Sequence, residues 1–153
     1  MLIQIDRIPE EGLHLSAEEP PEVLGLEDDP VFSAAGPMRG ELYAQVVEGT
    51  LIVRGTVAAE VRAQCARCSQ IFSTTVSDSG FLRDYSDILE MEEVDITEGL
   101  REAILLNLPN FPLCDEGCKG LCVQCGKDLN KGPCGCTGGD ESGIWETLDS
   151  LSL

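Results

Sequence analysis

The stretch Leu51-Ile52-Val53-Arg54-Gly55-Thr56-Val57-Ala58-Ala59-Glu60-Val61-Arg62-Ala63-Gln64-Cys65-Ala66-Arg67-Cys68 alternates until it reaches its cysteines. Leu51, Val53, Gly55, Val57, Ala59, Val61 and Ala63 form a period-two series, with Arg54, Thr56, Glu60, Arg62 and Gln64 on the opposite face. That spacing predicts a half-buried strand, and Gly55 within it marks a bulge or bend. Upstream, Leu42, Ala44 and Val46 alternate up to a Glu48-Gly49 turn; downstream, Ile71 to Val76 return after a turn at Cys65–Cys68. Residues 39–78 therefore predict an antiparallel meander. The fold class is α+β: a meander or barrel-like sheet with one main helix and a C-terminal cysteine-rich zinc module.

Outward from the meander the pattern weakens. Residues 1–30 begin with Leu2, Ile3, Ile5 and Ile8, then turn polar and acidic through Glu18-Glu19-Pro20-Pro21 and Glu27-Asp28-Asp29-Pro30, and read as part strand, part loop. Residues 78–95 are acidic, with Phe81, Leu82, Tyr85, Ile88 and Leu89 scattered through, and read as an irregular edge or excursion. A helix is predicted over 96–108, because Ile96, Leu100, Ile104 and Leu108 recur every four residues. Asp95-Ile96-Thr97-Glu98 fits a capping box, and Pro109 ends the helix. Gly99 costs about 1 kcal/mol against alanine there, so packing must hold it. Ile144, Trp145, Leu148 and Leu151 predict a short tail helix that packs back on the domain or, alternatively, docks on a partner. The expected organisation is a β-rich domain over 1–112, a cysteine-rich module over 113–139 and the tail over 140–153.

Eight cysteines are present: Cys65, Cys68, Cys114, Cys118, Cys122, Cys125, Cys134 and Cys136. The N-terminus has neither a basic start nor a long apolar stretch, which predicts no signal peptide and a cytoplasmic location. In that setting short cysteine spacings point to metal rather than to disulfides, and zinc favours four thiolates in a tetrahedron. Cys122-Val123-Gln124-Cys125-Gly126 has the form of a zinc knuckle. With Cys134-Gly135-Cys136 it completes one local four-thiolate set across a linker of turn residues. Cys65, Cys68, Cys114 and Cys118 form the second set, which staples the module to the preceding domain. The alternative is one site built from Cys65, Cys68 and two of the later six. A thioredoxin-like role would need the first pair to open a helix, whereas Phe72-Ser73-Thr74-Thr75-Val76 reads as strand.

With 153 residues, 42% hydrophobic, the chain can build a core. No apolar run approaches the ~20 residues of a membrane helix. The net charge of −18 disfavours sequence-independent nucleic-acid binding by the whole surface. Filling both cysteine sets would make the chain more acidic still, because eight thiolates outweigh two divalent ions. His14 is the single histidine, in a polar stretch, and neither a nucleophile elbow nor a phosphate loop is present. All-cysteine sites are usually structural, so no enzymatic activity and no small-molecule substrate are expected.

Several segments together resemble the YceD family, the bacterial large ribosomal RNA subunit accumulation proteins. They are the Cys65-Ala66-Arg67-Cys68 turn followed by Phe72, Leu105-Leu106-Asn107-Leu108-Pro109, and the run from Cys114-Asp115-Glu116-Gly117-Cys118 through Cys122-Val123-Gln124-Cys125 to Asn130. Ile8-Pro9-Glu10-Glu11-Gly12 and the tail near Trp145 are also similar to family members. The resemblance implies a link to accumulation of 23S ribosomal RNA and carries no catalytic residues. Members without the last cysteine group keep the Cys65/Cys68 turn and a His or Cys near position 114, which favours the two-set partition. Val123 departs from the proline of many zinc knuckles.

The expected function is thus a zinc-binding, non-enzymatic factor of ribosome biogenesis, holding two zinc ions. Residues 39–67 carry Arg39, Arg54, Arg62 and Arg67 against Glu41, Glu48 and Glu60; residues 114–136 are charge-balanced. Any rRNA contact should use these two regions, while the acidic remainder complements basic ribosomal proteins or a pre-ribosomal particle. The alternatives are a thiol/zinc redox sensor, with Cys134/Cys136 as trigger, and an acidic protein-interaction adaptor.

Overall fold

The computed structural model describes residues 1–136. The chain runs through β1 (Leu2–Gln4), β2 (Leu13–Glu19), β3 (Phe32–Val47), β4 (Thr50–Gln64), β5 (Ile71–Tyr85), β6 (Glu93–Asp95) and the helix α1 (Thr97–Leu106). Short 3-10 turns occupy Ile5–Arg7, Pro21–Leu24, Ile88–Glu90 and Leu129–Lys131. The predicted tail helix with Trp145 lies outside the described residues.

The alternation of β4 is its burial. Leu51, Val53, Val57, Ala59, Val61 and Ala63 are buried, while Arg54, Glu60, Arg62 and Gln64 are exposed. β4 pairs antiparallel with β3 and β5, and β2 pairs with the far side of β3, so the sheet order is β2-β3-β4-β5. This is the expected meander, but it does not close: β2 and β5 are not paired with each other. Four strands are too few to curl around a core, and α1 covers the apolar face instead of a returning strand. α1 lies against β4, β5 and the Pro21–Leu24 turn. β1 and β6 form a separate two-stranded ribbon. Phe81, Leu100 and Ile104 sit in the shared core, each almost fully buried and each contributing about 1.5–3 kcal/mol by leaving water.

Two bulges explain where the sequence pattern became illegible. Gly55 pairs with Phe81 and Val57 with Asp78, so Ser79 and Gly80 of β5 stand opposite Thr56 alone. The extra residue reverses the inward face from even numbers (Val76) to odd (Phe81). The segment after 78, which read as an irregular excursion, is therefore regular strand as far as Tyr85. A Cβ on Gly55 would stand 2.1 Å from the Glu41 carbonyl oxygen, and its φ of +156° also favours glycine. The second bulge lies between Ala34 and Met38 of β3, where Pro37 needs no ladder N–H.

α1 is shorter than the apolar repeat predicts. Pro109 disfavours helix at Leu108, and the Asn107 carboxamide donates to the Ala103 carbonyl at 2.9 Å, satisfying the last turn. The capping box does not form. Asp95 accepts from the Thr97 N–H at 2.9 Å and the Thr97 hydroxyl at 2.5 Å, but Glu98 turns away to pair with Arg101 at 3.0 Å. Gly99 has its packing reason: a Cβ there would meet the Tyr85 hydroxyl at 2.8 Å.

Candidate metal centre

The β4–β5 connection ends in a tight knuckle. The Cys65 N–H donates to the Gln70 carbonyl at 2.9 Å, and the Ser69 N–H donates to the Cys65 carbonyl at 2.9 Å, with Ser69 at φ +57°. This turn presents the sulfurs of Cys65 and Cys68. Residues following α1 are drawn to it: the Ala66 N–H donates to the Pro112 carbonyl at 2.8 Å. The next turn, closed by Asp115 accepting from the Gly117 N–H at 2.8 Å, supplies Cys114 and Cys118.

These four sulfurs form an inner group, with Cys65, Cys68 and Cys118 buried and Cys114 half-buried. Phe72 and Leu113 pack against it. The Sγ atoms of Cys65 and Cys118 are 3.8 Å apart, and those of Cys68 and Cys114 are 3.6 Å apart. A disulfide would hold them at about 2.05 Å. Four sulfurs around a zinc ion at its usual bond length of about 2.3 Å stand about 3.8 Å from one another. The donor set and its spacing fit a tetrahedral thiophilic ion.

The outer group is local. Cys122 and Cys125 flank a turn in which the Cys122 N–H donates to the Lys127 carbonyl and the Gly126 N–H donates to the Cys122 carbonyl, each at 2.8 Å. Cys134 and Cys136 return to it after the Leu129–Lys131 turn. Within each group all four sulfurs lie within 4.8 Å of one another. The structure thus assembles the eight predicted cysteines into Cys65, Cys68, Cys114 and Cys118, and Cys122, Cys125, Cys134 and Cys136. The single-site alternative would leave four cysteines apart from any group, whereas Cys122, Cys125, Cys134 and Cys136 come together as a second set.

The thiols of each group perturb one another. Cys65 is lowered to about 6, first by the backbone N–H of Cys114, whereas burial and then the neighbouring sulfurs push Cys114 up to about 12. In the outer group, the backbone N–H of Cys125 leads in lowering Cys122 to about 6, and the Cys125 sulfur leads in pushing Cys136 up to about 12. In each group one thiol is favoured as the thiolate by backbone N–H donors, while burial and neighbouring sulfurs disfavour ionisation of another. A central dication reverses that balance and lets all four sulfurs ionise.

Three residues that sequence reasoning did not assign to the site hold it together. Arg67, counted only as a positive charge, clamps the two halves of the inner group: its guanidinium donates to the carbonyls of Cys118 at 2.9 Å and Glu116 at 3.3 Å. Its own carbonyl accepts the Leu121 N–H at 3.0 Å. Gly120 makes that approach possible, since at φ +73° a Cβ would sit 3.0 Å from the Arg67 carbonyl oxygen. Asn130, read as a turn residue, donates from Nδ2 to the Cys118 sulfur at 3.3 Å. The sequence offers signals only for the turns, Gly120 after Lys119 and Asp128-Leu129-Asn130. The tertiary contacts have no local signature.

The family model described as "Large ribosomal RNA subunit accumulation protein YceD" matches residues 77–152, which include both downstream cysteine clusters. A chloroplast protein of Arabidopsis thaliana, named large ribosomal RNA subunit accumulation protein YCED homolog 1, is 40% identical over 47 residues, 31% of this chain and 15% of that protein. An uncharacterized protein of Mycobacterium bovis is 30% identical over 107 residues, 61% of this chain and 52% of its own length. One of Mycobacterium leprae is 25% identical over 113 residues, covering 65% and 52%. The chain spans about half the length of these mycobacterial relatives and far less of the chloroplast one. No solved structure matches it. By its cysteine-rich half and its kinship with the chloroplast homologue, the chain belongs to the YceD family.

Proposed function

We propose that this chain is a zinc-stabilised, non-enzymatic factor in the accumulation of large-subunit (23S) ribosomal RNA, working in the cytoplasm through contacts with ribosomal proteins or the pre-ribosomal particle. The observation that carries the reading is the pair of four-sulfur groups at one end of the sheet, in a chain whose family is named for that process. Zinc is the assigned ion at both groups because soft thiolates in a tetrahedron suit it best. An all-cysteine set of four leaves no coordination position for a substrate, which supports a structural rather than a catalytic role. A net charge of −18 favours basic ribosomal proteins over bare RNA as the direct partner.

The test is the ratio of 23S to 16S rRNA in a strain depleted of the protein, with rescue by wild type and by Cys65→Ser/Cys68→Ser. A fall in 23S that wild type restores and the double variant does not is the expected result. An unchanged ratio overturns the reading. The exposure of Cys125 favours one second reading, a thiol sensor. In that case peroxide would release metal from the outer group rapidly and completely.

A further inference from the structure

The two sulfur groups meet at one side chain. Asn130 lies in the loop between Cys125 and Cys134, both members of the outer group, yet its carboxamide points at the inner one. Its Oδ1 accepts the Lys119 N–H at 2.7 Å, which fixes the orientation of the amide. The Nδ2 end is thereby directed to the Cys118 sulfur at 3.3 Å and to Asp128 Oδ1 at 2.9 Å. The loop is laid against the chain just after Cys118: the Leu129 N–H donates to the Gly120 carbonyl at 2.9 Å, and Leu121 and Asp128 form a bridge.

An N–H donated to a thiolate withdraws electron density from the sulfur. It stabilises the ionised form and makes the sulfur a poorer target for protons and electrophiles. The loop that carries Asn130 is bounded at both ends by outer-group cysteines, Cys125 and Cys134, so closure of that group restrains the position Asn130 holds. We propose that Asn130 is a positioning residue that couples the two metal sites, so that an ion in the outer group strengthens the inner group's hold on its own ion through Cys118. By linkage the coupling is reciprocal, and inner loading favours outer loading to the same extent. The proposal rests on the metal reading of the two groups. It adds a mutual dependence of the two groups, in which the outer knuckle acts as a latch on the buried one.

The full chain is loaded with zinc and challenged with a chelator. Alkylation followed by mass spectrometry then reports the release of each cysteine. Asn130→Asp keeps an oxygen for the Lys119 N–H but offers no N–H to sulfur, and should speed exposure of Cys65, Cys68, Cys114 and Cys118 about tenfold. Cys134→Ser/Cys136→Ser, which opens the outer group, should speed inner release by a similar factor. Combining the two sets of changes should add nothing further. Asn130→Ala replaces Asn130→Asp if the added carboxylate disorders the loop. In the cobalt-loaded protein, loss of the N–H should move the sulfur-to-metal charge-transfer band to lower energy. Independent, multiplicative effects on inner release, or an unshifted band, overturn the coupling. Failure of wild type to bind metal at all overturns the metal reading instead.

Discussion

The sheet and the cysteine module are built by opposite means. In β2 to β5 and α1, buried aliphatic and aromatic side chains form one continuous core. Between residues 113 and 136, only Cys118 and Gly120 are buried among the described residues, and Val123 is almost fully exposed. Hydrophobic burial therefore holds the first region; on the proposed metal reading, sulfur ligation with a few backbone hydrogen bonds holds the second. Module and sheet share one joint, where the Cys65–Cys68 knuckle at the hairpin tip meets Cys114 and Cys118. A protein built this way can lose its module without losing its core.

The largest effect that would sharpen this contrast is metal removal. A structural zinc site in a small module supplies on the order of 10–16 kcal/mol of apparent binding free energy, which is folding free energy for the residues it organises. Chelation should abolish amide protection over residues 113–136 while the amides of β3, β4 and β5 stay protected. Hydrogen exchange with and without chelator reads both regions at once. Collapse of protection across the sheet would show that the two regions are one cooperative unit.

The converse experiment cuts the core and spares the sulfurs. Phe81 is 2% exposed and lies just past the β5 bulge, where the strand's inward face has changed parity. Phe81→Ala should cost about 3–5 kcal/mol, from lost transfer free energy and the cavity left behind. Denaturant unfolding followed through the sheet's far-ultraviolet signal measures the loss. At low denaturant the number of metal ions bound per chain should remain that of wild type. A drop in bound metal would mean that the module needs the core as much as the core's hairpin needs the module.

The same contrast separates what could be read in the sequence from what could not. Leu51 to Ala63 announced β4 because one face is buried along its whole length, and Cys-x-x-Cys spacing announced the sulfur groups because bidentate clusters are local. β2 was hidden because Leu13, Leu15 and Ala17 alternate weakly in an acidic stretch. The end of β5 was hidden because one extra residue at Ser79–Gly80 reversed the parity on which a period-two reading depends. Barrel closure depends on how many strands meet and what covers their face, neither of which is a property of any single segment. Arg67 and Asn130 escaped for a related reason. Each acts on cysteines more than ten residues away, through contacts that exist only once both chain segments are in place.

The smallest expected effect lies at the seam where β6 hands over to α1, on the core side of the comparison. The Thr97 hydroxyl, and then its backbone N–H, hold the Asp95 carboxyl below the usual carboxylate range. Because the folded-state value is depressed, this contribution is present above the unfolded value of about 4 and is lost as pH falls through the folded one. Asp95→Asn should therefore lower the unfolding midpoint slightly at neutral pH. The gap from wild type should narrow on acidification below about pH 4. Asp95 is exposed, so solvent screening keeps the neutral-pH difference under about 1 kcal/mol. The thiolates are common to both proteins, so their protonation largely cancels in this difference, and the pH-dependent part that remains belongs to Asp95. A gap that stays constant from pH 7 to pH 3 would assign the whole effect of the substitution to lost helix-start hydrogen bonds and none to charge.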